Sequence, residues 1–372
     1  MATSSFNLAR FLQDRELPTN IHPTPLQRSL NSPYAYARMR LARRLVAAAN
    51  WGADFSASGD LFVCRGPAGS SDEFHLQFWN WEHGRLVSHC PYPLNNHFHT
   101  RCLDDYAVVW DRETCFLGIV AVETASTYLM QLMECQDAVD AVAVLPGCFN
   151  EILIADDKGR LYMRDRRKPH LIPMGQVQVI TADCQSVTSL SRNPAQPHEF
   201  CVCSSWGRQL VIGDLRTAGR HSTAPVASRR FHFFQQRGPD TFSAEYNHSG
   251  TRLLVHWENG LLLSDPHYTT TEDFHLLFST HLDLFDVRWF GGKEEHVLLG
   301  HQMRAASDGM DTVEIRDAQQ SGGVVQRMGH PVAGGEDGGG VHFGMKLYVH
   351  PWRPVFAVGS SDDTVLFYQS SL

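Results

Sequence analysis

No stretch of this chain approaches 18 consecutive apolar residues, so a membrane-spanning helix is not expected. The opening MATSSFNLARF lacks the basic-then-apolar pattern of a secretory signal. Basic charge is also short. The formal net charge is −8 and the pI near 6.2, which argues against nucleic acid as a partner, since no global basic field draws one in. Cysteine number is odd, at nine, and the one close pair is Cys201-x-Cys203. Such spacing forms no disulfide framework and fits reduced thiols inside a cell. The expectation is a soluble, intracellular, unanchored protein. The cluster RMRLARR is too weak to choose between nucleus and cytoplasm.

Catalytic signatures are missing as well. There is no GxSxG, HExxH, Walker loop, or GxGxxG opening a helix. Gly359-Ser360-Ser361-Asp362 suits a strand turn rather than a nucleophile elbow. His248, and His256 beside Trp257, suit local packing better than acid–base work. The densest metal-like group is His89, Cys90, His97, His99 and Cys102. His97-x-His99 would share a strand face, but structural zinc wants two tight ligand pairs and no CxxC supports it. No catalysis, cofactor or metal is expected.

What is present is β-pattern. With 372 residues, 43% of them apolar, the chain can bury a large core. Short β-favouring segments recur between Gly, Asp, Asn, Pro and Ser, with no long helices after residue 46. Repeat units fall at residues 138–165, 186–214, 240–265, 285–317 and 345–368. Residues 50–87 fit the same template with a long inner turn, and 97–134 form a degraded copy. Seven units near the WD40 spacing predict an all-β, seven-bladed WD40 β-propeller over 34–372. Gly250 and Pro351 should turn first strands into second ones, and Asp157, Asp308 and Asp362 should hold tight turns. The last unit ends after its third strand, so its outer strand should come from about 36–46. Residues 218–239 and 320–344 are Gly/Ser/Pro-rich and read as spacer loops.

Ahead of the propeller, residues 1–33 form a separate segment. In SSFNLARFLQDREL, Ser4 or Ser5 can cap, and Leu8, Phe11 and Leu12 make one apolar stripe on a short helix bounded by Pro18. A helix this short needs a surface, its own propeller's or a partner's groove. Arg38, Arg40, Arg43 and Arg44 form a basic run suited to phosphate, an acidic partner, or a solvated face beside the closing strand.

Two adjacent units end in Asp-x-Arg: Asp165-Arg166-Arg167 and Asp214-Leu215-Arg216. The Asp can bond the turn backbone, and the Arg offers a planar five-donor fork to a partner. Other units carry Asp265-Pro266-His267 and Asp317-Ala318-Gln319, so the arginines form a local patch. The usual Trp before the Asp is replaced by Arg164 and Gly213.

A short helix of the type NLARFLQDREL followed by a WD40 propeller with consecutive Asp-x-Arg ends resembles the DCAF proteins. Those are substrate receptors of cullin-4 RING ubiquitin ligases. The later units (NPAQPHEF, NHSGTRLLVHWENG, HPWRPVFAVGSSDDTV) are similar to the same family. The resemblance implies that Leu8, Phe11, Leu12, Arg15 and Leu17 enter a cavity of the damaged-DNA-binding protein 1 adaptor. It also implies that Arg167 and Arg216 contact the adaptor, with Asp165 and Asp214 holding their turns, while a client protein binds elsewhere. The alternative is a WD40 scaffold in another assembly.

Overall fold

The segments 152–154, 200–203, 253–255, 297–299 and 355–358 are apolar or thiol-bearing without alternation, and each is buried throughout. Side chains of a strand alternate between its faces, so an unbroken apolar run needs an apolar neighbour on both sides. The computed structural model supplies those neighbours. It describes residues 37–46, 52–68, 71–91, 98–103, 105–111, 116–122, 127–131, 138–144, 150–165, 187–204, 209–216, 227–232, 242–257, 260–264, 275–279, 283–290, 296–302, 310–318, 323–331, 346–351, 353–359 and 364–370. Every regular element among them is a strand.

β1 (Met39–Val46) comes first in the chain. Blade I follows as β2 (Asp54–Phe55), β3 (Phe62–Ala68), β4 (Ser71–Asn80) and β5 (Arg85–Pro91). Blade II is β6 (Phe98–Cys102), β7 (Tyr106–Asp111), β8 (Phe116–Ala121) and β9 (Thr127–Gln131). Blade III holds β10 (Val139–Val144), β11 (Glu151–Asp156) and β12 (Leu161–Asp165). Blade IV is β13 (Val187–Arg192), β14 (Glu199–Ser204), β15 (Gln209–Asp214) and β16 (Ala227–His232). Blade V is β17 (Phe242–Tyr246), β18 (Leu253–Trp257), β19 (Gly260–Ser264) and β20 (His275–Ser279). Blade VI is β21 (Asp283–Phe290), β22 (His296–Gln302), β23 (Met310–Asp317) and β24 (Val324–Pro331). Blade VII joins β25 (Lys346–Val349), β26 (Val355–Gly359) and β27 (Thr364–Ser370) to β1. All pairings are antiparallel hairpins in chain order except that closure, where Met39 pairs with Ser370 and Val46 with Thr364.

Seven apolar clusters sit one at each junction between neighbouring blades, including the junction of VII with I. β14 shows why its run is continuous. Phe200 and Val202 pack toward blade III, whereas Cys201 and Cys203 pack toward blade V. Each blade is therefore stable only between two others, which closes the ring and hides most edges. β1 ties first and last blades through packing as well as pairing. Leu45 enters the VII–I cluster and Met39 the VI–VII cluster.

Several sequence expectations are corrected. The stretch 97–134 holds a complete four-stranded blade, II, not a degraded one. The spacer assigned to 218–239 contains β16, and that assigned to 320–344 contains β24, each an outermost strand. In blade I, β3 and β4 extend to Ala68 and Ser71, so the expected long inner turn is mostly paired strand. Asp156, one residue before the expected Asp157, organises its turn. Its fully buried carboxylate accepts from the backbone N–H of Lys158 (3.1 Å) and Arg160 (2.8 Å), from Arg160 Nε (2.6 Å) and from the Tyr162 hydroxyl (3.0 Å). Asp308 and Asp362 lie outside the described residues. Gly250 does turn β17 into β18, at φ +69, where a side chain is strained and where a methyl would meet Ala195.

Candidate functional site

The aspartates of the two Asp-x-Arg ends occupy the same place in their blades. Asp165 pairs with Glu151, the first residue of β11, and Asp214 pairs with Glu199, the first residue of β14. Asp165 is 6% exposed. Arg167 lies outside the described residues, as do Leu8, Phe11, Leu12, Arg15 and Leu17.

The blade IV end is fully visible. Asp214 Oδ1 accepts the backbone N–H of Arg216 at 2.8 Å and its Nε–H at 3.1 Å. Asp214 Oδ2 accepts Nε at 3.1 Å and Nη2 at 2.5 Å. This hydrogen-bonded guanidinium holds the Asp214 carboxyl below its usual range. Arg216 remains 66% exposed. Two of its five N–H groups face Asp214; the other three, including both on Nη1, point away in the same plane. Between the two, Leu215 is buried in the III–IV cluster, and its N–H donates to the His198 carbonyl at 2.8 Å. The turn is thus pinned by an apolar anchor and a side-chain bond, which leaves the Arg fork preoriented.

Blade III is tied to the neighbouring β13–β14 connection, whose His198 carbonyl receives Leu215. Buried Arg192 donates through Nη2 to the Pro197 carbonyl at 2.7 Å and reaches Glu151 Oε2 at 3.3 Å. Asn193 Oδ1 accepts the N–H of Ala195 at 2.9 Å, while its Nδ2 donates to the Gly250 carbonyl of blade V at 3.1 Å. The rim of blades III, IV and V is therefore one hydrogen-bonded surface. The lost Trp is compensated differently in the two blades. Gly213 lies beneath the Phe200 ring of the opposing strand, whereas Arg164 is itself buried.

A second feature was not foreseen. The first strand of every blade lines a central channel of about 480 Å³. On the channel side these strands have no sheet neighbour, and acceptors of the preceding blade meet their exposed N–H groups. Asp54 accepts from Cys102 (3.2 Å), Asp140 from Val187 (2.7 Å), Ser189 from Ala244 (3.0 Å) and Asp286 from Leu347 (3.1 Å). Two channel ion pairs cross between blades, Arg101 with Asp54 at 3.7 Å and Arg288 with Glu245 at 3.9 Å, and Arg288 also meets Asp286 of its own strand at 3.4 Å. Burial pushes the Asp54 and Glu245 carboxyls up. At Asp286 burial acts the same way, but Arg288 and Lys346 outweigh it and the carboxyl lies low. No local sequence pattern marks the contacts between blades, because their partners belong to different repeats.

The His/Cys group is dispersed. Cys90 and Cys102 are packed in the I–II cluster, His89 stacks on His75, and His99 stacks on Trp110. His97 lies outside the described residues, and among the described ones no cluster suited to a metal forms.

No family model and no curated protein matches this sequence. Among solved structures, the chain is similar to the crystal structure of the Myceliophteria thermophila Cps50 (Swd1) β-propeller domain, at 12% identity and a TM-score of 0.66. The match covers 90% of this chain and all of that one. At that identity it speaks for architecture alone, and it agrees with the seven sheets and seven inter-blade clusters: the chain folds as a β-propeller.

Proposed function

We propose that this propeller is a non-catalytic substrate receptor of a cullin-4 RING ubiquitin ligase. In this reading it docks on the damaged-DNA-binding protein 1 adaptor through residues 4–17 and the rim of blades III and IV, and it holds a protein client elsewhere. The observation that supports it is Arg216, exposed yet fixed by Asp214 and by buried Leu215. A preoriented guanidinium loses less freedom on meeting a carboxylate or carbonyl than a loose one. Arg167, two residues after Asp165 in the sequence, would supply the second fork. The protein would reside in the nucleus, the cytoplasm or both.

A pull-down with purified adaptor tests this. Wild-type protein is expected to be retained, and the Arg167→Ala, Arg216→Ala variant lacking residues 4–17 is expected to be lost. Retention of that variant would sink the proposal. The alternative of a scaffold in another assembly is favoured by the lost Trp positions, Arg164 and Gly213, and failure of wild-type protein to bind the adaptor in this assay would select it.

A further inference from the structure

The closing strand β1 is the last strand of blade VII among the described residues. Its outer edge is already partly engaged by something that is not a strand. Gln326 of β24 accepts the Met39 N–H through Oε1 at 3.0 Å and donates Nε2 to the Met39 carbonyl at 2.9 Å. One carboxamide thus occupies the position of a peptide unit of an added strand. In an antiparallel ladder, inward-bonded and outward-pointing residues alternate. The Met39 backbone points outward, so Arg40 bonds inward to Gln369, and Leu41, opposite Tyr368, again presents its N–H and carbonyl outward. A register shift follows between Leu41 and Arg43. The Leu41 side chain is 52% exposed. Arg38, Arg40 and Arg44 are exposed around it, and Arg43 reaches over to the Glu82 carbonyl of blade I at 2.6 Å. On a chain of net charge −8, this edge is a local basic strip.

We propose that β1 is a docking edge for an extended acidic polypeptide segment of a partner protein. The segment would continue the pairing that Gln326 begins, bond Leu41, set an apolar side chain against Leu41, and place carboxylates near Arg40 and Arg44. Main-chain pairing supplies affinity in such strand addition, and the flanking charges select the partner. Arginines on an edge also discourage self-pairing of copies, which agrees with an edge reserved for an acidic partner. This surface is distinct from the blade III–IV rim, so its failure leaves the adaptor proposal standing, and the reverse.

The test titrates the full chain with a short peptide of alternating Glu and Val, followed by fluorescence anisotropy at low salt. Saturable binding is expected. N-methylation of the peptide backbone, which keeps its charge but blocks the ladder, should weaken binding about tenfold, as loss of one or two hydrogen bonds does. Leu41→Pro should do the same, and Arg40→Glu with Arg44→Glu should weaken it further. Binding indifferent to N-methylation, equal binding of a single-stranded oligonucleotide, or no binding at all would overturn the proposal. The methylated peptide decides the matter even where Leu41→Pro fails to fold.

Discussion

Phe200 and Gly213 give a perturbation whose sign is worked out from geometry. Phe200 is fully buried in the III–IV cluster and lies directly across β14–β15 from Gly213. A methyl at Gly213 would run into the ring, with Cε1 within 2.8 Å. Gly213→Ala alone should cost about 1–3 kcal/mol by overpacking. Phe200→Ala alone should cost about 3–5 kcal/mol, its lost transfer energy plus a cavity. In the double variant the new methyl enters the space the ring leaves. The combined loss should then fall short of the sum by about 1–3 kcal/mol, as expected for side chains in contact. Urea titrations of the four proteins, compared at equal m-value, measure this coupling. Additivity within about 0.5 kcal/mol would refute the claim that Phe200 fills the slot vacated by the missing Trp.

Asp156→Ala should cost about 3–5 kcal/mol, since it leaves Arg160 Nε and the Tyr162 hydroxyl without their buried carboxylate; a shift in urea midpoint near zero would show that the turn reorganises freely. Burial lowers the His256 pKa to about 4, against a partly opposing pull from Asp286 and with Lys346 and Arg288 adding to the shift. The unfolded chain therefore binds more protons than the folded one between about pH 6.5 and pH 4, so stability should fall on acidification through that window, by on the order of 3 kcal/mol from this residue. Replacing it in His256→Phe should flatten that part of the stability–pH curve, and an unchanged slope would contradict a buried neutral imidazole.

The elements that could be read from sequence are those whose burial is two-sided. The second strands show as solid apolar runs because both their faces meet neighbouring blades, and the closing strand was legible because the last repeat carries only three strand-like segments of its own, which β1 completes. Outer strands escaped. β16 (ASRRFH) and β24 (VVQRMGHP) carry arginine and glutamine, and an outermost strand has no sheet partner beyond it, so its polar content reads as loop. Asp156 was missed by one residue because spacing alone does not say which of two adjacent aspartates faces inward. The channel acceptors Asp54, Asp140, Ser189 and Asp286 could not be found at all. Each serves an N–H in the next repeat, 47 to 61 positions away. At the rim, the bond from Asp214 to its turn backbone followed from the Asp-x-Arg spacing, but its ion pair with Arg216 and the anchoring role of Leu215 needed the fold.

The adaptor-docking claim is tested most directly by amide hydrogen exchange of this protein, alone and with saturating purified adaptor. Slowed exchange is expected in residues 4–17 and in the turns around His198 and Arg216, with the blade VI–VII wall unchanged. Slowed exchange confined to other blades, or none on the blade III–IV rim, would contradict it.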